Sequence, residues 1–290
     1  MNYNSLVNIN KLKYILAVII YGTIGYILHF ISLPSEIVVL GRGTIGSIFI
    51  YLYLRVQGKN LTLPAIYHNL KYLVLSGIAL GLNWVFLFAS YRVSTVALGS
   101  LCNYMAPIIL ILISPIVFNE KITFRKMLCV ICAFIGIVLV SGIFESDVVV
   151  NVEGIILGLL AALCFVCIII FNRRLENISV YDKVIVQLAV SAITVLPYAI
   201  FNNINTHLVF DTQSVLLILL LGVVHTGVAY CLYFGSINYI PVQSVAILGY
   251  IEPVCGILTS ALLLNEPISP LGIVGAVLII VSACLSEIIN

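Results

Sequence analysis

The chain alternates long apolar runs with short polar connectors, and this rhythm predicts its elements. Apolar runs stand near residues 14–32, 35–55, 70–91, 94–117 and 124–142, then near 153–172, 180–201, 213–237, 241–264 and 268–287. Each holds about 17–24 residues, enough to cross a hydrocarbon layer of about 30 Å at about 1.5 Å per helical residue. Backbone amides in lipid must pair within their own segment, so each run is expected to be an α-helix. A barrel would need short alternating strands, which the pattern lacks. The longest connectors, near 56–69, 143–152 and 202–212, leave no room for a soluble catalytic module. The first run ends without a small-residue cleavage site and reads as a retained first span.

Two stretches repeat one design. Residues 84–121 and 230–267 align without gaps at an offset of 146. The offset pairs Phe88 with Phe234, Ser90 with Ser236, Tyr104 with Tyr250, Pro107 with Pro253, Asn119 with Asn265 and Glu120 with Glu266. Chance similarity between apolar helices would match Leu and Val rather than Asn-Glu, so the alignment indicates an internal duplication. The expected halves are 1–148 and 149–290, with five spans in each.

Composition supports the membrane reading and adds direction. Charged residues make up 8% of the chain, hydrophobic residues 62%, and the mean hydropathy is +1.23; a soluble domain carries about 25% charged residues. If the N-terminus faces the cytoplasm, Lys11, Lys13, Arg55, Lys59, Lys71, Lys121, Arg125, Lys126, Arg173, Arg174 and Lys183 fall on the inner side. The outer connectors hold Arg92 together with Glu145, Asp147 and Asp211. The positive-inside rule then sets both termini in the cytoplasm of a multi-pass inner or plasma membrane protein. An odd number of spans per half makes the two copies run in opposite orientations, an arrangement recurrent in secondary transporters. The net charge of +2 therefore reports topology, with the bilayer as partner and no nucleic acid expected.

All eight cysteines fall in predicted spans. The pairs Cys129/Cys132 and Cys164/Cys167 read as small hydrophobes, no His stands at ligand spacing, and neither metal nor cofactor is expected. The chain has no phosphate-cradling loop, which argues against direct nucleotide drive.

With these features the chain resembles the ten-helix EamA-type members of the drug/metabolite transporter superfamily. The resemblance rests on Arg42 in the second span, the proline of the fourth span followed by Asn119-Glu120, Glu252-Pro253 in the ninth, and the closing Glu266-Pro267. It implies an all-α membrane protein that transports, often exports, amino acids or other small metabolites. An intramembrane enzyme and a channel are the alternatives. An enzyme would need a paired nucleophile and base, and Ser141 and His29 lack such partners; a channel would need a filter-like loop.

Within the predicted hydrocarbon region, Arg42 and Glu252 are the plainly ionisable side chains, each costing about 2.5–3.5 kcal/mol at a helix centre. Glu252 lies too deep to reach either surface. It reads as a counter-ion for a substrate amine, as a proton-coupling site, or as the partner of Arg42 in a structural ion pair. Arg42 sits nearer the outer end of its helix, could snorkel, and leans towards a structural role. Pro107 and Pro253 are expected to kink their helices and free the carbonyls of Asn103 and Gly249 beside Tyr104 and Tyr250. Asn83, Trp84, Asn103, His225, Tyr230 and Tyr233 complete the mid-depth polar and aromatic set. His225 is either a proton relay or hydrogen-bonded glue between helices. Such an aromatic wall suits amines and apolar or aromatic amino acids.

Overall fold

The computed structural model describes residues 3–94, 96–141, 143–144, 151–204, 208–265 and 269–288. Glu145, Asp147, Glu266 and Pro267, used above for topology and resemblance, lie outside the described residues.

Every predicted run is helical. The first holds α1 (Tyr3–Gly22) and α2 (Ile24–His29), starting earlier than its hydropathy suggests and broken at Thr23. Then come α3 (Ser35–Val56), α4 (Leu63–Val93), α5 (Val96–Asn103), α6 (Ala106–Phe118), α7 (Phe124–Val140), α8 (Val152–Arg173) and α9 (Val180–Asn203). The next run is α10 (Thr212–Leu220), a π-helical segment (Leu221–Val228) and α11 (Ala229–Ser236). The chain closes with α12 (Val242–Gly249), α13 (Ile251–Leu263) and α14 (Pro270–Ile288). Eight helical stretches of the described chain are long and apolar enough to cross a membrane, and two shorter apolar helices lie in α7 and α14. Exposed side chains such as Leu12, Ile116, Phe124, Phe201 and Leu262 give the bundle an apolar exterior.

Local chemistry sets the helix ends. Asn151, Ser179 and Asp211 accept from the backbone N–H of Glu153, Asp182 and Ser214, supplying a partner to first-turn donors of α8, α9 and α10. Hydrogen bonds from Ser214 and the Ser32 hydroxyl hold the Asp211 carboxyl down to about 2. Asn119 and Asn265, with φ of 56° and 55°, follow α6 and α13 in the left-handed conformation that asparagine tolerates. In the backbone, α5 and α12 begin and end 146 residues apart, and so do the two left-handed asparagines.

Packing exploits small residues. At the α7–α14 crossing, a Cβ on Gly136 would lie 2.7 Å from the Gly275 carbonyl oxygen, and one on Gly275 would lie 2.5 Å from that of Gly136, so the backbones approach as only glycine permits. A buried polar triad fastens α4, α8 and α9. Gln187 donates to Ser76 (2.8 Å) and Asn172 (3.1 Å), and Asn172 donates to Ser76 (2.9 Å).

The two ends of the bundle differ in charge. One carries Lys13, Arg55, Lys121 and Arg173 and is termed the basic end. The other, the acidic end, carries Asp211 and Glu36, which pairs with Arg92.

Candidate functional site

Two broken helices frame the site. The fourth and ninth apolar runs are interrupted at Tyr104–Met105 and at Tyr250. Pro107 and Pro253 stand in the first turns of α6 and α13, where a missing N–H leaves no helical bond unmade. The expected kink is therefore a full break ahead of each proline. The carbonyl that gains a partner there is Tyr104's, not that of Asn103 or Gly249: the buried Tyr250 hydroxyl donates to it at 3.0 Å and ties the two breaks together.

Glu252 begins α13 beside this junction. It is half-buried and makes no hydrogen bond or ion pair among the described residues. Gly22 admits α1 to this point, because a Cβ there would lie 2.4 Å from Cys255 Cβ and 2.8 Å from the Glu252 carbonyl oxygen. Arg42 turns into the bundle rather than snorkelling to the surface. Its Nε donates to the Thr226 hydroxyl at 2.9 Å, and its guanidinium lies 5.5 Å from the Trp84 ring centre. Arg42 and Glu252 lie within reach of each other's charge, yet they form no ion pair.

Aromatic rings fill the space between them. Trp84 meets Tyr230 edge-on at 6.4 Å, Tyr230 meets Tyr21 at 5.6 Å, Tyr21 meets Tyr233 at 5.9 Å, and Tyr233 meets Tyr14 at 5.1 Å. Tyr14, Tyr21, Tyr104, Tyr230 and Tyr233 all lie within coulombic reach of Glu252.

His225 sits on the π-helical segment, a type of distortion frequent at functional sites. The Thr23 hydroxyl spends its proton on the Ile20 carbonyl (2.8 Å), so His225 Nε2 donates to it at 2.9 Å and links α10–α11 to the break between α1 and α2. Asn83 donates to Asn103 (3.2 Å) and to the Ala161 carbonyl (2.8 Å), which makes this pair a brace rather than part of the aromatic wall.

A cavity of about 490 Å³ runs between α1, α3, α9 and α11, past Lys13, Tyr53, Tyr181 and Cys231. A larger one, about 650 Å³, reaches from the acidic end to the helix breaks, lined by His29, Val96, Ser100, Tyr104, Pro253 and Leu264 among others. Several hydrogen bonds link segments at the basic end. Arg173 donates to the Ile240 carbonyl, Lys183 to the Phe234 carbonyl (2.6 Å), Asn238 to the Asn172 carbonyl (3.3 Å) and Tyr14 to the Val245 carbonyl (2.7 Å).

Sequence reasoning missed several of these groups. Tyr21 and Thr23 interrupt the first apolar run with polar atoms, a signal that was there to be read. Tyr14 and Thr226 carry no such mark. Lys183 reads as a surface cation at a helix start, yet it is 4% exposed and makes no ion pair among the described residues.

Comparison with known proteins supplies the class. "Uncharacterized transporter YxxF" of Bacillus subtilis (strain 168) is 25% identical over 248 residues, 85% of this chain and 79% of its own length. A Salmonella typhimurium (strain LT2) protein named "Probable amino-acid metabolite efflux pump" is 26% identical over 207 residues, 68% of this chain and 69% of its own. A solved structure titled only "Crystal structure of protein" superposes with a TM-score of 0.84 at 17% identity, covering 97% of this chain and 98% of its own, and thus shares the fold. The model of the EamA-like transporter family matches residues 11–142 and 152–287, and with nearly the whole length covered, the chain belongs to that family of membrane transporters.

Proposed function

We propose that the protein is a secondary transporter that exports a small amino acid or related amine by alternating access of two inverted five-span halves, 1–148 and 149–290, around Glu252. The observation that carries this reading is the Glu252 carboxylate, placed at a helix break within reach of several tyrosines and of the Arg42 charge, with no hydrogen bond or ion pair among the described residues. An ionised group at such depth costs about 2.5–3.5 kcal/mol unless something offsets it, and the open cavity beside Pro253 is the route by which a cation or a proton reaches it. Arg42 donates through Nε to Thr226 and, among the described residues, makes no ion pair, which leaves its two terminal nitrogens for a substrate carboxylate. A zwitterion with an apolar or aromatic side chain meets both charges and the tyrosine wall.

The matching element bounds, the paired left-handed asparagines and the Tyr250–Tyr104 bond support the duplicated, inverted arrangement. Ten crossings with the basic end in the cytoplasm follow from the positive-inside rule, and the structure then corresponds to a state open to the outside. A reporter active only outside the membrane should work when fused after Asn151 and be silent after Asn60. The function itself is tested by growth of expressing cells on inhibitory concentrations of single amino acids and their analogues. Protection against one chemical group names the substrate class. Failure to protect against any of them, with the protein present in the membrane, contradicts the amino-acid reading.

A further inference from the structure

The basic end closes around the start of α12. Glu120, next to the left-handed Asn119 that ends α6, accepts the backbone N–H of Val242 at 2.9 Å. Gln243 Nε2 donates to the Lys121 carbonyl at 3.0 Å and reinforces the seam. Val242 is the first residue of α12, so its N–H has no partner within the helix and lies at the positive end of the helix dipole, where a carboxylate is favoured. α6 packs directly against α12 at this end.

Two positions at the 146-residue offset lie at the acidic end. Val96, the equivalent of Val242, opens α5, and Leu264, the equivalent of Phe118, follows α13. Both line the 650 Å³ cavity, while Glu266, the counterpart of Glu120 itself, lies outside the described residues.

We propose that Glu120 is a positioning residue for transport: its carboxylate latches the N-terminus of α12, holds the basic end shut, and must let go for that end to open while α5 and α13 close over the acidic-end cavity. The inference rests on the alternating-access reading given above, and it adds the group that sets which end is open. Glu120 bonds to backbone at the start of α12 and not to Glu252, so the latch acts on access rather than on substrate contact.

Backbone hydrogen exchange of the otherwise unmodified chain in lipid nanodiscs, followed by mass spectrometry, tests this without a substrate. Glu120→Ala should raise exchange at the start of α12 by about tenfold, the effect of losing one charge-assisted hydrogen bond. The same variant should slow exchange in α5 as the cavity closes. Glu120→Gln, which keeps an acceptor without the charge, should fall between. Val242→Pro removes the donor instead. Proline suits the first position of a helix, and Pro241 before it already has the extended backbone (φ −54°, ψ 145°) that a following proline requires, so this variant should fold and show the same reciprocal pattern.

The reciprocity is what a merely structural role would not produce, because simple destabilisation speeds exchange at both ends. Faster exchange at both ends, or no change in α5, in Glu120→Ala and Val242→Pro alike would overturn the latch. A reciprocal shift in a protein that protects against no amino acid would keep the latch and discard the substrate reading.

Discussion

The basic and acidic ends of this bundle each hold the start of a short half-helix, α12 and α5, 146 residues apart, and differ in what surrounds it. At the basic end a half-helix start, α12, is held by Glu120, the connector before it by Arg173, and the end of α11 by Lys183. At the acidic end the equivalent half-helix, α5, borders a cavity that runs down to the helix breaks. Neither propensity nor hydropathy separates the two half-helices, and both begin with valine after a connector. The difference observed lies in the contacts around them. On the proposed alternating-access reading, such a difference between the two ends, on either side of Glu252, is what alternation between two states requires.

The largest expected effect comes from removing the charge between the two ends. Glu252→Gln should lower transport on the order of 100-fold, the scale of breaking one buried charge contact, while insertion and thermal stability stay near the parent. Retained activity would remove Glu252 from the mechanism. Arg42 sharpens the same test. Were the two residues a structural pair, Glu252→Gln would destabilise the protein and Arg42→Gln in that background would restore it. With no ion pair between them, we expect no such recovery in melting temperature, and we expect Arg42→Gln alone to weaken transport as well.

A smaller loss is expected from the hinge. Pro107→Ala or Pro253→Ala restores an N–H, worth about 1 kcal/mol as a hydrogen bond, and favours fusion of the two half-helices. Transport should fall by about tenfold or less at normal abundance, and equal loss at both prolines would support their equivalence. Parent-like transport in both variants would make the breaks packing features.

The smallest effect is reserved for the rim. Asp211→Asn keeps an acceptor at the start of α10 and should shift the melting temperature by about 2 °C or less. The carboxyl is held low in the folded protein, so its contribution is present above the ordinary carboxylate range and is lost as the pH falls through that range towards about 2. Asp211→Asn should therefore behave alike at pH 6 and pH 8, and a differential melt at these two values checks it.

Much of this architecture is written in the hydropathy pattern, because lipid forces every apolar run of sufficient length into a helix. The breaks at Tyr104 and Tyr250 were announced by proline, though as bends rather than interruptions, since a proline in a first turn costs little and lets the preceding residue leave the helix. Glu252 stood out because a carboxylate deep in a span is rare. Arg42 was legible as a charge, but its direction was not: which way a long side chain turns depends on Thr226 and Trp84, set by packing of helices far apart in the sequence. Lys183 was legible only as an inner-side charge, because burial at a helix start leaves no periodic trace.

Alternation itself is tested most directly by a distance across the acidic-end cavity. Spin labels at Val96→Cys and Leu264→Cys, in a chain whose eight native cysteines are replaced, report the gap between α5 and α13 by pulsed electron resonance. Two closing ends predict two distance populations, a longer one as in this structure and a shorter one, with Glu120→Ala moving weight to the shorter. A single distance that neither broadens nor responds to Glu120→Ala would contradict the exchange of states between the two ends.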